Sequence, residues 1–225
     1  MPCPKDFLRT DTSGRAHAGS QRQIQTYVNE RGPELSRAIA EALQAYELDP
    51  SNIRWVSPIA EEQYSEYRDE EFLEKIGAQH LAEKLREFWP GSGPCWDALA
   101  RLDGGCVLVE AKSHISEVYG NGCKASGRSL SLIQSSISRT KQWLGVEPDA
   151  GWLGHLYQSA NRLAHLYFLR EIGAFDAYLV HVYFIDDPHS PTNLQEWADC
   201  ISQVNVALGI ENPIPFFGSI FLSAI

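Results

Sequence analysis

Apolar positions along this chain recur at helical spacing in some stretches and as short strand-like runs in others, so the pattern alone divides it into elements. Residues 21–29 and 34–46 read as helices, the second opening just after Pro33. Residues 52–57 (Asn-Ile-Arg-Trp-Val-Ser) predict a short strand that Pro58 ends. Over residues 62–88, Phe72, Leu73, Ile76, Leu81, Leu85 and Phe88 fall on one side of a long helix with a break at Gly77. The run Trp89-Pro90-Gly91-Ser92-Gly93-Pro94 stops it and leads into a predicted hairpin over residues 95–112. Helices are expected at 129–144, 155–172 and 194–208, and strands at 177–185 and 217–224. This order predicts a three-layer α/β domain, a central mixed sheet flanked by helices. Residues 1–20, polar with Pro2, Pro4 and Gly14, are expected to be poorly ordered, leaving residues 21–225 as a single domain.

With 225 residues and 44% apolar content the chain can bury the core of one domain. No apolar run approaches the roughly 20 residues needed to cross a bilayer, and the N-terminal stretch lacks a signal-peptide core. The expectation is a protein without membrane association, placed in the cytoplasm. The cysteines, Cys3, Cys95, Cys106, Cys123 and Cys200, are scattered and form no C-x-x-C pair, which favours buried or unreactive thiols over a disulfide framework or structural zinc. A net charge of -10 argues against coating nucleic acid by bulk electrostatics. The distribution adds detail: residues 118–146 contain no Asp or Glu but carry Lys124, Arg128, Arg139 and Lys141, a composition suited to a phosphate-bearing substrate or simply to a solvated loop and helix.

The predicted hairpin, Cys-Trp-Asp-Ala-Leu-Ala-Arg-Leu-Asp-Gly-Gly-Cys-Val-Leu-Val-Glu-Ala-Lys, carries the candidate chemistry. Strand residues alternate faces, so Glu110 and Lys112 share one face while Ala111 points the other way. A two-residue turn at Gly104-Gly105 would pair Asp103 with Cys106 and set Asp97 across from Lys112, with Glu110 on the diagonal. A three-residue loop would turn Asp97 to the opposite face. Two carboxylates and a lysine so arranged can hold a hard divalent cation beside a positive charge.

A carboxylate-bearing helix, Asp97 on one strand, Glu110-Ala111-Lys112 on the next, then a helix and a further strand resembles the PD-(D/E)XK nuclease superfamily, the restriction-endonuclease-like fold. The resemblance spans roughly residues 60–186 and departs from the pattern in having Trp96 where a proline precedes the aspartate. It implies a restriction-endonuclease-like core and a metal-dependent phosphodiesterase acting on DNA or RNA. Asp97, Glu110 and the backbone carbonyl of Ala111 would bind Mg²⁺ or Mn²⁺, and Lys112 would orient or help deprotonate the attacking water. Lys112, beside two carboxylates, is expected to stay charged.

The superfamily often adds a glutamate from the preceding helix. Glu66, then Glu70, is the choice here, because positions 66, 70 and 73 share a helical face and Leu73 would turn that face to the sheet. The competing reading is a solvated acidic face. On the helix after the hairpin, Gln158, Asn161, Arg162 and His165 form one polar stripe, and the resemblance implies substrate contact there through Gln158 and Arg162. The stripe can equally be the outer face of an amphipathic helix. Gln134 and Lys141 are rivals for that role, and Lys124 and Arg128 are candidate phosphate contacts. His114 reads as a neighbour of the site rather than a base. The alternative function is a non-catalytic binding module on the same fold. With no separate recognition domain in view, substrate choice is expected to depend on a homodimer or a partner protein.

Overall fold

Five strands form one mixed sheet in the order β1-β2-β3-β4-β5, in a computed structural model that describes Cys3 and residues 8–225. They are β1 (Arg54–Ser57), β2 (Ala98–Leu102), β3 (Gly105–Lys112), β4 (Asp176–Ile185) and β5 (Phe217–Ser223). β1 to β3 pair antiparallel, whereas β3–β4 and β4–β5 are parallel. A parallel pair needs a long crossover. Helices α5 (Gly127–Leu144) and α6 (Tyr157–Tyr167) make the first and α7 (Leu194–Leu208) the second.

Side-chain alternation along the strands builds two cores. Val107, Val109 and Ala111 of β3 and Val180, Val182 and Phe184 of β4 pack against helices α1 (Gly19–Glu30) and α2 (Gly32–Ala42). Cys106 and Leu108, with Leu179 and Tyr183, face α3 (Asp69–Ile76), α4 (Ala82–Phe88) and the crossover helices. Glu110 and Lys112 have the parity of Cys106 and Leu108, so this second core places a carboxylate and an ammonium where an apolar side chain would otherwise sit. The result is the expected α/β layering, a mixed sheet with helices on both faces. Among the described residues no helix is long and apolar enough to cross a membrane.

Three expectations need correction. The expected break at Gly77 is present, where φ +83° ends α3 with a left-handed cap, but the helix expected from residue 62 starts only at Asp69. Its first part is not helical. Gln63 and Tyr64 have positive φ, and residue 67 is extended, bridging antiparallel to Trp96.

The hairpin turn is Asp103-Gly104, not Gly104-Gly105: Leu102 pairs with Gly105. Gly104 supplies the positive φ, +84°, that the turn requires. Gly105 is needed for a different reason, since a Cβ there would lie 2.3 Å from the backbone oxygen of Asp176 on β4. The register therefore moves by two residues, which preserves the parity of every side chain.

Cys3 and Cys95 are joined by a disulfide across 92 residues, with Cα atoms 6.1 Å apart. Cys3 N–H donates to the Glu66 carbonyl at 2.9 Å, and the Tyr67–Trp96 bridge carries residue 95 alongside. The fold alone creates this proximity. Cys106 and Cys200 are buried free thiols and Cys123 is a half-buried one. The expectation of poor order over residues 1–20 falls partly outside the described residues. Within it, Thr10 pairs with Ala16 and α1 starts at Gly19.

Candidate functional site

β2 and β3 position the two central carboxylates. Extending the observed pairing of Ala98 with Val109 by one residue sets Asp97 directly across from Glu110, rather than from Lys112. Asp97 Oδ2 accepts the N–H of Ala111 at 2.7 Å, which fixes the carboxylate against β3. Glu110, 2% exposed, is held from both sides: Lys112 Nζ donates to Oε1 and Arg162 Nε to Oε2, each at 2.5 Å.

The third carboxylate is Glu66, but no helix carries it. It precedes α3 in the extended segment whose Tyr67–Trp96 bridge, continued by one residue, brings Glu66 across from Asp97. Gln21 Nε2 on the first turn of α1 donates to Glu66 Oε1 at 3.0 Å. Glu70, the other candidate, is exposed and ion-paired with Arg86 on the surface.

Helix α6 supplies the opposite wall. Gln158 and Arg162, four residues apart, lie on one face, where Gln158 Oε1 accepts from Lys112 Nζ at 3.2 Å. Arg162, 4% exposed, also donates to the Cys95 carbonyl at 2.7 Å and stacks over Trp96 with its guanidinium carbon 5.0 Å from the ring centroid. The polar stripe on α6 therefore faces inward, and His165 on it is 1% exposed, boxed by Trp89, Trp96 and Phe72. It reads as amphipathic in sequence because arginine and histidine were counted as outer residues; here an ion pair and an aromatic box satisfy them in the interior.

The electrostatics follow from burial and charge. Desolvation alone would raise Glu110, but Arg162 and Lys112 outweigh it and hold it at about 2. Asp97 has no such escort: burial and then the Glu110 charge push it well above the ordinary carboxylate range. Glu66 rises to about 7, again through burial, with the Gln21 hydrogen bond pulling the other way. For Lys112, burial lowers the pKa, yet Glu110 and Asp97 more than compensate and raise it, so the ammonium stays charged. His181, the parallel partner of Glu110 on β4, is driven down to about 4 by burial.

The remaining sequence candidates lie elsewhere. Lys141 is buried, donating to the carbonyls of Pro148 and Ala150, and so closes the loop after α5; Gln134 lines the same small cavity. Arg128 borders a groove with Glu83 and Glu87 of α4, and Lys124 is exposed on the loop before α5. Arg139 stacks on Phe88 and Tyr167. The acid-free segment is thus spent largely on packing and loop closure. His114 pairs with Ser116 and Glu117. Ala111 is an interior strand residue whose side chain belongs to the α1–α2 core.

Gln21 and the Cys95 carbonyl were not foreseen. Gln21 reaches the cluster from a segment remote in sequence, whereas Cys95 lies two residues before Asp97 and takes part through its backbone; no motif marks either. Among the described residues, no three His, Cys, Asp or Glu side chains form a ready-made metal-ligand set. No protein-family model, curated protein or solved structure matches this chain.

Proposed function

We propose that this protein is a metal-dependent phosphodiesterase acting on DNA or RNA, built on a restriction-endonuclease-like core. The observation that carries the reading is the Asp97 carboxylate fixed on Ala111 N–H of β3 beside Glu110, with Lys112 bonded to Glu110 and Glu66 in the adjoining segment. Two features fit a hard divalent cation. Mg²⁺ needs only one or two carboxylates and keeps several of its waters. Asp97 and Glu66 also sit raised by burial and by Glu110, a repulsion that a cation would relieve. Asp97, Glu110 and the Ala111 carbonyl would hold Mg²⁺ or Mn²⁺, with Glu66 completing the set; the ion would supply a low-pKa water and charge neutralisation at phosphorus.

The chain's own residues do the rest. Lys112, charged and tethered between Glu110 and Gln158, stabilises negative charge on the phosphate and orients the attacking water rather than acting as a free base. Arg162 holds Glu110 ionised and aimed at the cluster from behind. Gln158 is accordingly the substrate contact retained from α6, whereas the buried Arg162 is a positioning residue that acts through Glu110. A second reading has its own support: both oxygens of Glu110 are already engaged by cations, which also suits a non-catalytic module of this architecture.

Incubating the protein with Mg²⁺ or Mn²⁺ and single- or double-stranded DNA or RNA tests the enzyme reading. Cleavage should disappear in Asp97→Ala and Lys112→Ala, and cleavage unchanged in both variants would remove the assignment. Calorimetric titration with Mn²⁺ separates the two readings, since a module without metal affinity at Asp97 and Glu110 cannot run this chemistry.

A further inference from the structure

Beside the carboxylate cluster, at the end of β3, lies a second cavity of about 500 Å³ that the chemistry above does not use. Its floor is the N-terminus of α1. The first N–H groups of a helix have no intrahelical acceptor, and here Ala18 at the N-cap supplies no side-chain oxygen to receive them. A 12-residue helix with such an end presents Gly19, Ser20 and Gln21 N–H groups and the positive pole of its dipole to the cavity.

An independent feature points the same way. Ser113, the residue after Lys112, is 0% exposed, lines this cavity, and its Oγ has no hydrogen-bond partner. A buried hydroxyl without a partner is costly, so a ligand oxygen there would recover a bond the fold leaves unmade. The exposed imidazoles of His17 and His189 also line the cavity.

Two carboxylates also border it, and each is committed to the walls. Glu117 Oε2 accepts Ser113 N–H at 2.7 Å, and its Oε1 accepts Ser20 Oγ–H at 3.2 Å. Asp187, 1% exposed, accepts Gln23 Nε2 at 3.1 Å and His189 N–H at 3.0 Å. They brace the pocket against α1 and the segment after β4, with His17 and His189 on the rim.

We propose that this cavity binds a second, non-scissile phosphate of the nucleic-acid strand whose reacting phosphate sits at Asp97, Glu110 and Lys112. The inference rests on the function proposed above and extends it. Two links set the spacing: Ser113 follows Lys112 in the chain, and Gln21 lines the cavity while bonding Glu66 in the cluster. A strand crossing the end of β3 passes both. Recognition by backbone N–H groups, a hydroxyl and basic rim residues is independent of sequence, as contacts to phosphate are.

The experiment is a titration of the full chain in EDTA, so that binding is read without cleavage. NMR follows the imidazoles of His17, His114 and His189 and the amides of residues 19–21 and 113, first with inorganic phosphate and then with a short oligothymidylate. Saturable shifts with both, and displacement of phosphate by the oligonucleotide, are expected. Reversing the rim with His17→Glu and His189→Glu, both exposed positions, should weaken oligonucleotide binding by about tenfold or more while the thermal midpoint holds. Signals that move with neither ligand, or phosphate that binds but is not displaced by the oligonucleotide, would overturn the proposal. Binding here together with an absence of metal-dependent cleavage would instead fail the enzyme reading and leave the pocket assignment standing.

Discussion

Replacing Arg162 by Met tests whether the buried ion pair organises the cluster. Arg162 and Glu110 have side chains 5% and 3% exposed, so the variant strands a carboxylate that is cut off from water. Two routes give the cost. Removing one partner of a buried pair typically loses about 3–5 kcal/mol. Glu110 is lowered from 4.5 to about 2, and at roughly 1.4 kcal/mol per unit this is ~3 kcal/mol of favourable interaction with the charged form. Lys112 shares in that sum and still holds Oε1, while the variant also loses the bond to the Cys95 carbonyl. The net expectation is about 3 kcal/mol.

Urea unfolding at neutral pH should show the midpoint falling with an unchanged slope. The acid limb carries a second signature. Because the folded pKa of Glu110 is depressed, its contribution is complete above about 4.5 and is lost as pH falls toward 2. In Arg162→Met the loss should begin nearer the ordinary carboxylate pKa. Adding Glu110→Gln to the variant should restore part of the stability, since the stranded charge is gone. A destabilisation below about 1 kcal/mol, or a double variant weaker than the single one, would refute this account of the pair.

Other consequences can be checked separately. His165, neutral in its aromatic box with a folded pKa of about 4 against 6.5 unfolded, should make stability fall by ~3 kcal/mol as pH drops through that window, and His165→Gln should flatten the slope there in urea titrations at stepped pH. Gln21→Ala, which frees Glu66 from its hydrogen bond at 3.0 Å, should weaken Mn²⁺ binding several-fold by calorimetry with little change in the thermal midpoint. Thiol titration of the unfolded, non-reduced chain should count the three free cysteines rather than all five, and Cys95→Ser should cost about 5 kcal/mol by the chain-entropy relation for a loop of this length. A count of five would remove the disulfide.

How much of this could be read from sequence divides along the range of the forces involved. Strand alternation is local, so the shared face of Glu110 and Lys112 was legible, as were the five strands and the mixed order of the sheet. The hairpin register was not, because choosing Asp103-Gly104 over Gly104-Gly105 depends on Gly105 passing within reach of Asp176 on a strand some 70 residues away. Parity survived the two-residue slip, and with it the meeting of Asp97 and Glu110. Glu66 was named for the wrong reason: helical periodicity pointed to it, yet an extended bridge to Trp96 delivers it. The Cys3–Cys95 bond and Gln21 left no local trace, since both depend on the N-terminal segment returning to the edge of the cluster. The stripe with Arg162 and His165 reads from sequence as either a substrate-facing or an outer surface, and its burial was not legible because polarity predicts exposure only when no interior partner exists.

The charge distribution inside the cluster ties these placements together. Lys112 and Arg162 both lean on Glu110, and their two positive charges balance its single one with one to spare; Asp97 and Glu66, lacking cations of their own, are pushed toward the protonated form. In that state the cluster is net positive and suited to a phosphate. Ionising both remaining carboxylates turns it net negative and suited to a divalent cation, which would have to displace their protons to enter. The same five side chains therefore span two units of net charge between these states, and Lys112 keeps a second anchor in Gln158 throughout. An overall charge of -10 does not oppose this, because at the end of β3 the local field is set by Arg162, Lys112 and the pole of α1 rather than by acids screened on the surface.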